Sequence, residues 1–410
     1  MRVTKKIGLF SVAKISIIVL PLIVSIFGYA SLGQFNNSSG VAIGILSVPC
    51  SVSTYGDAWD GSITFGLWNF TEGEKSCLVI MNTDGEVKYV KYANGSKGPN
   101  YEVVKPISQE ILMHTGSGYF WGGGDVHFLN LKTNETLGFP GVITHHDVEY
   151  NPITNTFLTL QCYVKEINGQ KILFDKVVKL NSTGYVLWTW DTYDHIPISE
   201  TCPFNDSAVI NGQSIIEGES IYEFLHCNTI NWNYNQSIIY LNSRYLNTFY
   251  KINETSGDII WSCGEHGDFK LLDTYGKNIS SLWYHSHSTR EVEPGVFIMF
   301  DNDYHNQTNP NNAHSRMIEV TLNEKNMTAG VSWSWTAPKD YWSPHWGIAE
   351  RLPNGDRLGV FGTETKQYND SIGAVIIEVN SKGQLVRTWT FPRGWGIYRV
   401  EQMPSTSTYE

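Results

Sequence analysis

Four stretches of this chain place histidine ahead of an apolar run, and an isolated arginine follows one of them. His145-His146-Asp147 leads to Thr156–Leu160, and His226-Cys227-Asn228 leads to Ser237–Leu241 and then Arg244. Tyr284-His285-Ser286-His287 leads through Arg290 to Val296–Phe300, and His345-Trp346 leads to Leu358–Phe361. Each reads as a histidine, a strand, a turn holding Pro, Asn or Gly, and a second strand. A neutral imidazole is a competent nitrogen nucleophile near neutral pH, because its unperturbed pKa is about 6.5. Arginine is permanently cationic, and its planar fork suits the face of an oxyanion. These residue types can transfer a group whose negative charge spreads over several oxygens, a reaction catalysed mainly by positioning and charge stabilisation. Adjacent or alternating histidines on a strand point to opposite faces, so at most one of His145/His146 and one of His285/His287 is expected to face a common pocket.

Such a pocket requires elements that gather distant residues, and a repeat supplies them. Asn181 to Gly184 leads to Trp188, Asn253 to Gly257 leads to Trp261, Asn326 to Gly330 leads to Trp333, and Asn380 to Gly383 leads to Trp389. Weaker copies run from Asn82 through Gly85 to Tyr89 and from Thr133 to Gly138. A polar turn followed by a short apolar run, recurring every 50 to 75 residues or so, is the mark of propeller blades. Six copies predict an all-β, six-bladed propeller, with the histidines on inner strands facing the axis. The turn tryptophans are expected to pack between blades. Gly396–Val400 is a candidate last strand, and the apolar stretch Gly40 to Val52 is expected to close the ring against the final blade.

Composition narrows the setting. The 410 residues carry a net charge of −11, which leaves no basic stripe for nucleic acid and means that an anionic substrate needs its own local cations. Arg2, Lys5, Lys6 and Lys14 precede an apolar stretch from Ile15 to Gly33, so residues 1–33 read as a signal peptide or a retained membrane anchor. The body is then residues 34–402, with a polar, disordered tail at 403–410. Sequons begin at Asn36, Asn37, Asn69, Asn94, Asn134, Asn181, Asn205, Asn235, Asn253, Asn278, Asn306, Asn326 and Asn369. That is more than twice the roughly 5 expected by chance, which points to N-linked glycans and an extracellular or cell-surface site, eukaryotic or archaeal. Six cysteines, with no C-x-x-C pair, allow 15 disulfide pairings in an exported chain and do not suggest a zinc site.

The segment His226-Cys-Asn-Thr-Ile-Asn, running through Ser243-Arg244 to Gly257-Asp-Ile-Ile-Trp261, resembles the PAPS-independent arylsulfotransferases. Their matching stretch reads His-x-Asn-Ser, a strand ending Ser-Arg, and a Thr-Gly-x-Ile-x-Trp turn. His145-His146-Asp147 is similar to that family's His-His-Asp segment, and His287-Ser-Thr-Arg290 with Phe300-Asp301-Asn302 to its Gln-His-Asp-Ala-Arg and Phe-Asp-Asn-Gly segments. The resemblance runs in order from about Cys77 to the C-terminus and implies a six-bladed propeller needing neither PAPS nor a metal. It implies sulfuryl transfer from an aryl sulfate to a phenolic acceptor through a sulfohistidine. His287 is then the nucleophile, while His146, His226 and Arg244 bind the sulfuryl oxygens and steady the leaving phenolate. Ser286 stands where Gln is usual, Asp303 where Gly is usual, and His285 offers a second imidazole, so His285 and His287 both stand as nucleophile candidates. Asn228, Arg290 and His145 are candidate substrate-binding residues, or else supporting and salt-bridge residues. Two other readings compete: a non-catalytic glycosylated surface propeller, and a metal- or quinone-dependent enzyme using His285, His287, Asp147 and Asp301.

Overall fold

A computed structural model describes residues 48–70, 76–93, 101–115, 124–199, 214–216, 219–304, 313–362 and 372–404. Residues 46–410 cluster as one unit and residues 1–45 as another. The predicted export segment and the chain beyond Pro404 lie outside the described residues. No helix among the described residues is long and apolar enough to cross a membrane.

The strands form six sheets, one per blade, in chain order around the ring. Blade 1 holds Ser62–Asn69, Cys77–Asn82 and Val87–Tyr92, with Trp395–Gln402 as its innermost strand. Blade 2 holds Val104–Pro106, Ile111–Thr115, Gly124–Asn130 and Thr136–Thr144, and blade 3 holds Val148–Asn151, Thr156–Ile167, Gln170–Asn181 and Val186–Asp191. Blade 4 holds Cys227–Asn233, Ile238–Ser243, Thr248–Asn253 and Ile259–Gly264. Blade 5 holds His287–Glu293, Val296–Asp301, Arg316–Asn323 and Thr328–Thr336, and blade 6 holds Ile348–Arg351, Arg357–Phe361, Ile372–Val379 and Leu385–Pro392. The expectation of an all-β, six-bladed propeller is met.

Closure uses both ends of the ring. The last strand, Trp395–Gln402, pairs antiparallel with Ser62–Asn69 on the inside of blade 1. Ser51–Thr54, the end of the apolar stretch that sequence assigned to closure, pairs along the outer edge of blade 6, with Val52 opposite Trp389. The inner clasp therefore comes from the C-terminal strand and the outer one from the N-terminal strand. Met403 continues the clasp by donating its N–H to the Ser62 carbonyl at 2.8 Å.

Six apolar cores lie between successive blades, one at each interface. Both faces of each sheet are covered, which explains why Val296–Phe300 is apolar without alternation. Phe297 and Met299 enter the core shared with blade 4, whereas Ile298 and Phe300 enter the core shared with blade 6.

All six repeat copies fall at the turn between the third and fourth strands of successive blades. The shared device is an asparagine whose Oδ1 accepts backbone N–H groups across the turn: Asn82, Asn130, Asn181, Asn253, Asn323 and Asn380. In blade 5 this asparagine lies three residues before the Asn326 read from sequence, and in blade 2 it lies four before Asn134, so the repeat there was out of phase. Gly184 and Gly383 meet the demand of the turn for positive φ, at 80° and 79°. Tryptophans tie the blades together as expected: Trp190, Trp333 and Trp389 donate Nε1–H to Gly257, Ser381 and Thr83 carbonyls in the turn of the next blade. In blade 3 this residue is Trp190 rather than Trp188.

Of the sequon asparagines among the described residues, Asn134, Asn235, Asn278 and Asn326 are exposed, whereas Asn69 is fully buried. No disulfide joins Cys50, Cys77, Cys162, Cys227 and Cys263, the cysteines among the described residues.

Candidate active site

His146, His226 and His285 stand in the bends that lead into the inner strands, whereas His287 opens the inner strand of blade 5. His146 precedes Val148, His226 precedes Cys227 and His285 precedes His287 at the inner edges of blades 3, 4 and 5. All three have positive φ, at 56°, 51° and 57°. Left-handed backbone at non-glycine residues is costly and concentrates at functional sites. The pairing of the inner strands is also irregular here, with register shifts at Cys227/Thr229, at His287/Arg290 and opposite Phe65/Leu67, where Tyr398 and Arg399 lie. Bulges re-aim side chains, and these turn three inner strands toward one axial pocket.

The bends also correct the expected alternation. His145 and His146 do not point apart: their Nδ1 atoms are 2.8 Å from each other. His145 turns back, its Nε2 lying 3.1 Å from Asp175 Oδ1, while the ring of His146 reaches the ring of His226 with centroids 4.9 Å apart. His285 packs between Tyr245 and Tyr304, and His287 lies near Tyr398, with ring centroids 6.1 Å apart.

His287 is buried and its Nδ1 meets Asn302 Oδ1 at 2.7 Å. Asn302 Nδ2 donates to the Ser343 and Trp346 carbonyls at 2.6 and 3.0 Å, so its amide cannot flip and Oδ1 must face the imidazole. His287 therefore carries its proton on Nδ1 and presents the Nε2 lone pair. Burial, and then the neighbouring Arg244, hold its pKa well below the usual value, which keeps the ring neutral. Burial and the surrounding His226, His145, His287 and Arg399 do the same to His146.

His226 Nδ1 donates to Glu223 Oε1 at 3.0 Å, and Tyr245 Oη donates to Glu223 Oε2 at 3.0 Å. Arg244 follows the second strand of blade 4 and is 2% exposed. Its Nη2 donates to the Pro344 carbonyl at 3.2 Å and stands 3.4 Å from His345 Nδ1. His146, His226, Arg244 and His287 thus meet around one point on the axis, and His345 borders it.

The other candidates lie outside this circle. Asn228 Nδ2 donates to the Ser286 carbonyl at 2.9 Å, and Asn228 Oδ1 accepts from Asn242 at 2.9 Å, so Asn228 braces the bend that carries His285 and His287. Arg290 lies further along its strand, paired with Glu350 at 2.6 Å and with Glu401. A polar cavity of about 330 Å³ opens at that end of the axis, lined by Lys105, Glu149, Arg290, Glu291 and Glu401 among others. The carboxylates named for a metal are neutralised separately: Asp147 by Lys105 and Arg399 at 2.6 and 3.0 Å, Asp301 by Arg316. Burial alone would raise Asp147, but Arg399 and Lys105 outweigh it and hold its pKa at about 2.

Sequence reasoning missed Tyr398, Arg399, Asp175 and Glu102. Arg399 is 4% exposed, donates to the Asn228 carbonyl and adds a second guanidinium to the cluster. The ring of Tyr398 lies near those of both His146 and His287, with centroids 6.0 and 6.1 Å away, and its hydroxyl is buried. Glu102, on the bend into blade 2, has its pKa raised by burial despite His145, Arg399 and His226 nearby. None carried a signal in sequence beyond the strand pattern Gly396–Val400, because ring closure alone brings residue 399 to residue 146.

Comparison with known proteins places the chain in a family. The family model described as Arylsulfotransferase (ASST) matches residues 67–399. No curated protein matches. Among solved structures, a protein from Lactobacillus plantarum is 10% identical with a TM-score of 0.41, the match covering 82% of this chain and 83% of that one. A hypothetical selenium-binding protein from Sulfolobus tokodaii is 8% identical with a TM-score of 0.42, covering 84% and 94%. At these values neither similarity bears on activity.

Proposed function

The chain belongs to the arylsulfotransferase family, and we propose that it moves a sulfuryl group from an aryl sulfate to a phenol through a sulfohistidine on His287. The observation that carries this reading is the anchored Asn302 amide, which leaves a neutral His287 with Nε2 as its nucleophilic nitrogen. Nε2 attacks sulfur, the N–S bond forms as the O–S bond to the aryl oxygen breaks, and a phenolate departs. The modified ring keeps its Nδ1–H on Asn302 and so carries positive charge, which makes the N–S bond labile to an incoming phenol. Arg244, Arg399 and His226 supply charge and donors to the sulfuryl oxygens in a buried site, where such interactions are strong. His285 is the weaker nucleophile candidate, since it lies among Tyr245 and Tyr304 and not against the Asn302 amide.

The same reading keeps residues 1–33 as an export segment and places the propeller outside the cell, with glycans on the exposed sequons. Incubation with a chromogenic aryl sulfate, with and without a phenolic acceptor, tests the transfer, and mass spectrometry of the quenched protein tests the intermediate. Acceptor-dependent turnover and a sulfuryl adduct on the peptide bearing His287 are expected. Turnover of equal rate without acceptor would make the protein a sulfatase instead.

A further inference from the structure

Asp175 lies on the third strand of blade 3 and is 4% exposed. One carboxylate oxygen, Oδ2, accepts the backbone N–H of Cys227 at 3.0 Å, which fixes the residue next to His226. The other, Oδ1, lies 3.1 Å from Nε2 of His145, off the straight hydrogen-bond line. Beyond His145 comes His146, Nδ1 against Nδ1 at 2.8 Å. The three groups form a chain from the interior of blade 3 to the axial pocket, and only its last member is among the residues read as catalytic.

With both imidazoles neutral, proton accounting along this chain leaves one favourable arrangement. A bare Nε2 lone pair 3.1 Å from a carboxylate oxygen would be repelled, so His145 carries its proton on Nε2. Its Nδ1 is then an acceptor. Two acceptors cannot stand 2.8 Å apart, so His146 must donate through Nδ1–H. That leaves His146 Nε2 as the acceptor nitrogen on the side of His226 and Tyr398. The arrangement parallels a catalytic triad, in which a buried aspartate selects the tautomer of the histidine that handles the proton. Here one more imidazole is interposed.

We propose that Asp175 and His145 are positioning residues that hold His146 as its Nδ1–H tautomer, so that Nε2 takes the proton of the acceptor phenol. The proposal rests on the sulfuryl-transfer reading for the identity of the phenol, but not for the tautomer. In the second half-reaction the phenol O–H bond breaks as its oxygen bonds to sulfur, the N–S bond to His287 breaks, and the proton passes to His146 Nε2. His146 then releases it to water or to the next departing phenolate. Within the pocket His146 is faced by His145, His226, His287 and Arg399, and His145 by Asp175 and Glu102. A bound sulfuryl anion offsets the cations around His146 and makes it a better base at the moment it is needed.

Asp175→Asn is the informative variant, because its amide can still accept from Cys227 while donating to His145 Nε2. That flips both tautomers and turns His146 Nε2 from acceptor to donor. The corresponding aspartate-to-asparagine change in a triad costs about 10⁴ in kcat. In ¹⁵N-histidine spectra of the full chain, His146 should show a protonated Nδ1 in the wild type and a protonated Nε2 in Asp175→Asn. A protonated Nε2 in the wild type overturns the proposal. In single-turnover transfer from the sulfated protein, Asp175→Asn and His145→Gln should slow a weakly acidic phenol by about 100-fold or more. A nitrophenol already ionised at the assay pH has no proton to surrender and should change only a few-fold. Equal slowing of both acceptors would reduce Asp175 to a structural role and sink the proposal. Failure of the wild type to form any sulfated protein would instead remove the sulfuryl-transfer reading, while the spectra decide the tautomer by themselves.

Discussion

Asn302 holds the imidazole of His287 from behind: its Oδ1 accepts the Nδ1–H at 2.7 Å, and its Nδ2 is spent on two backbone carbonyls. His287 opens the inner strand of blade 5 opposite Phe300, and Asn302 follows the end of the facing strand two residues further on. A neutral amide orients the ring while favouring its protonated form less than a carboxylate in the same place would, so burial and Arg244 keep the ring neutral.

Replacing that amide by a carboxylate should therefore be seen in the pH profile. Asn302→Asp is expected to raise the pKa of His287 and to introduce an acid limb in kcat/KM that the wild type lacks above about pH 6. Asn302→Ala should lower kcat by about 10²-fold by releasing the ring. An Asn302→Asp profile that overlays the wild type would contradict the tautomer assignment.

Stability should fall on mild acidification. His146 and His287 have folded-state pKa values below the ordinary 6.5, so the unfolded chain takes up protons that the folded chain refuses. Their contribution is complete above about pH 6.5 and is lost as the pH falls toward their folded values. Calorimetry between pH 7.5 and 5 should show Tm decreasing, and His287→Asn should flatten that slope. An unchanged slope in the variant would argue against a neutral buried His287.

Arg244 should matter for rate more than for fold. On the proposed sulfuryl transfer, Arg244→Ala removes a donor to developing charge, which typically costs about 2.7–4 kcal/mol, or 10²–10³ in kcat. Arg244→Lys restores the charge but not the planar fork, and should recover only part of the loss. Steady-state kinetics with one donor and one acceptor separate these outcomes.

Arg290 should behave in the opposite way. It is paired with Glu350 and Glu401 beyond the histidine cluster, and removing one partner of a buried ion pair costs about 3–5 kcal/mol. Arg290→Met is expected to lower Tm while leaving the KM for the donor unchanged in the protein that remains folded. Thermal unfolding together with KM measurement checks both halves.

The division between sequence and structure follows from the range of the interactions involved. Turn chemistry is local, so the repeats disclosed six blades, although in blades 2 and 5 the working asparagine is Asn130 or Asn323, a few residues from where the pattern placed it. The types of the central residues were legible too, because His146, His226, Arg244 and His287 each precede or follow a recognisable strand. What sequence could not supply was the direction of their side chains. Strand alternation sent His145 and His146 to opposite faces, whereas a left-handed bend brings their Nδ1 atoms to 2.8 Å. Nor could it place Arg290, whose spacing from His287 suggests one site while its ion pairs lie with Glu350 and Glu401. Arg399, Tyr398 and Asp175 became visible only through the closed ring. The chain by itself determined the blades and the chemical types at the axis; the tertiary fold decided which atoms face one another, because protons and lone pairs depend on contacts between residues far apart in sequence.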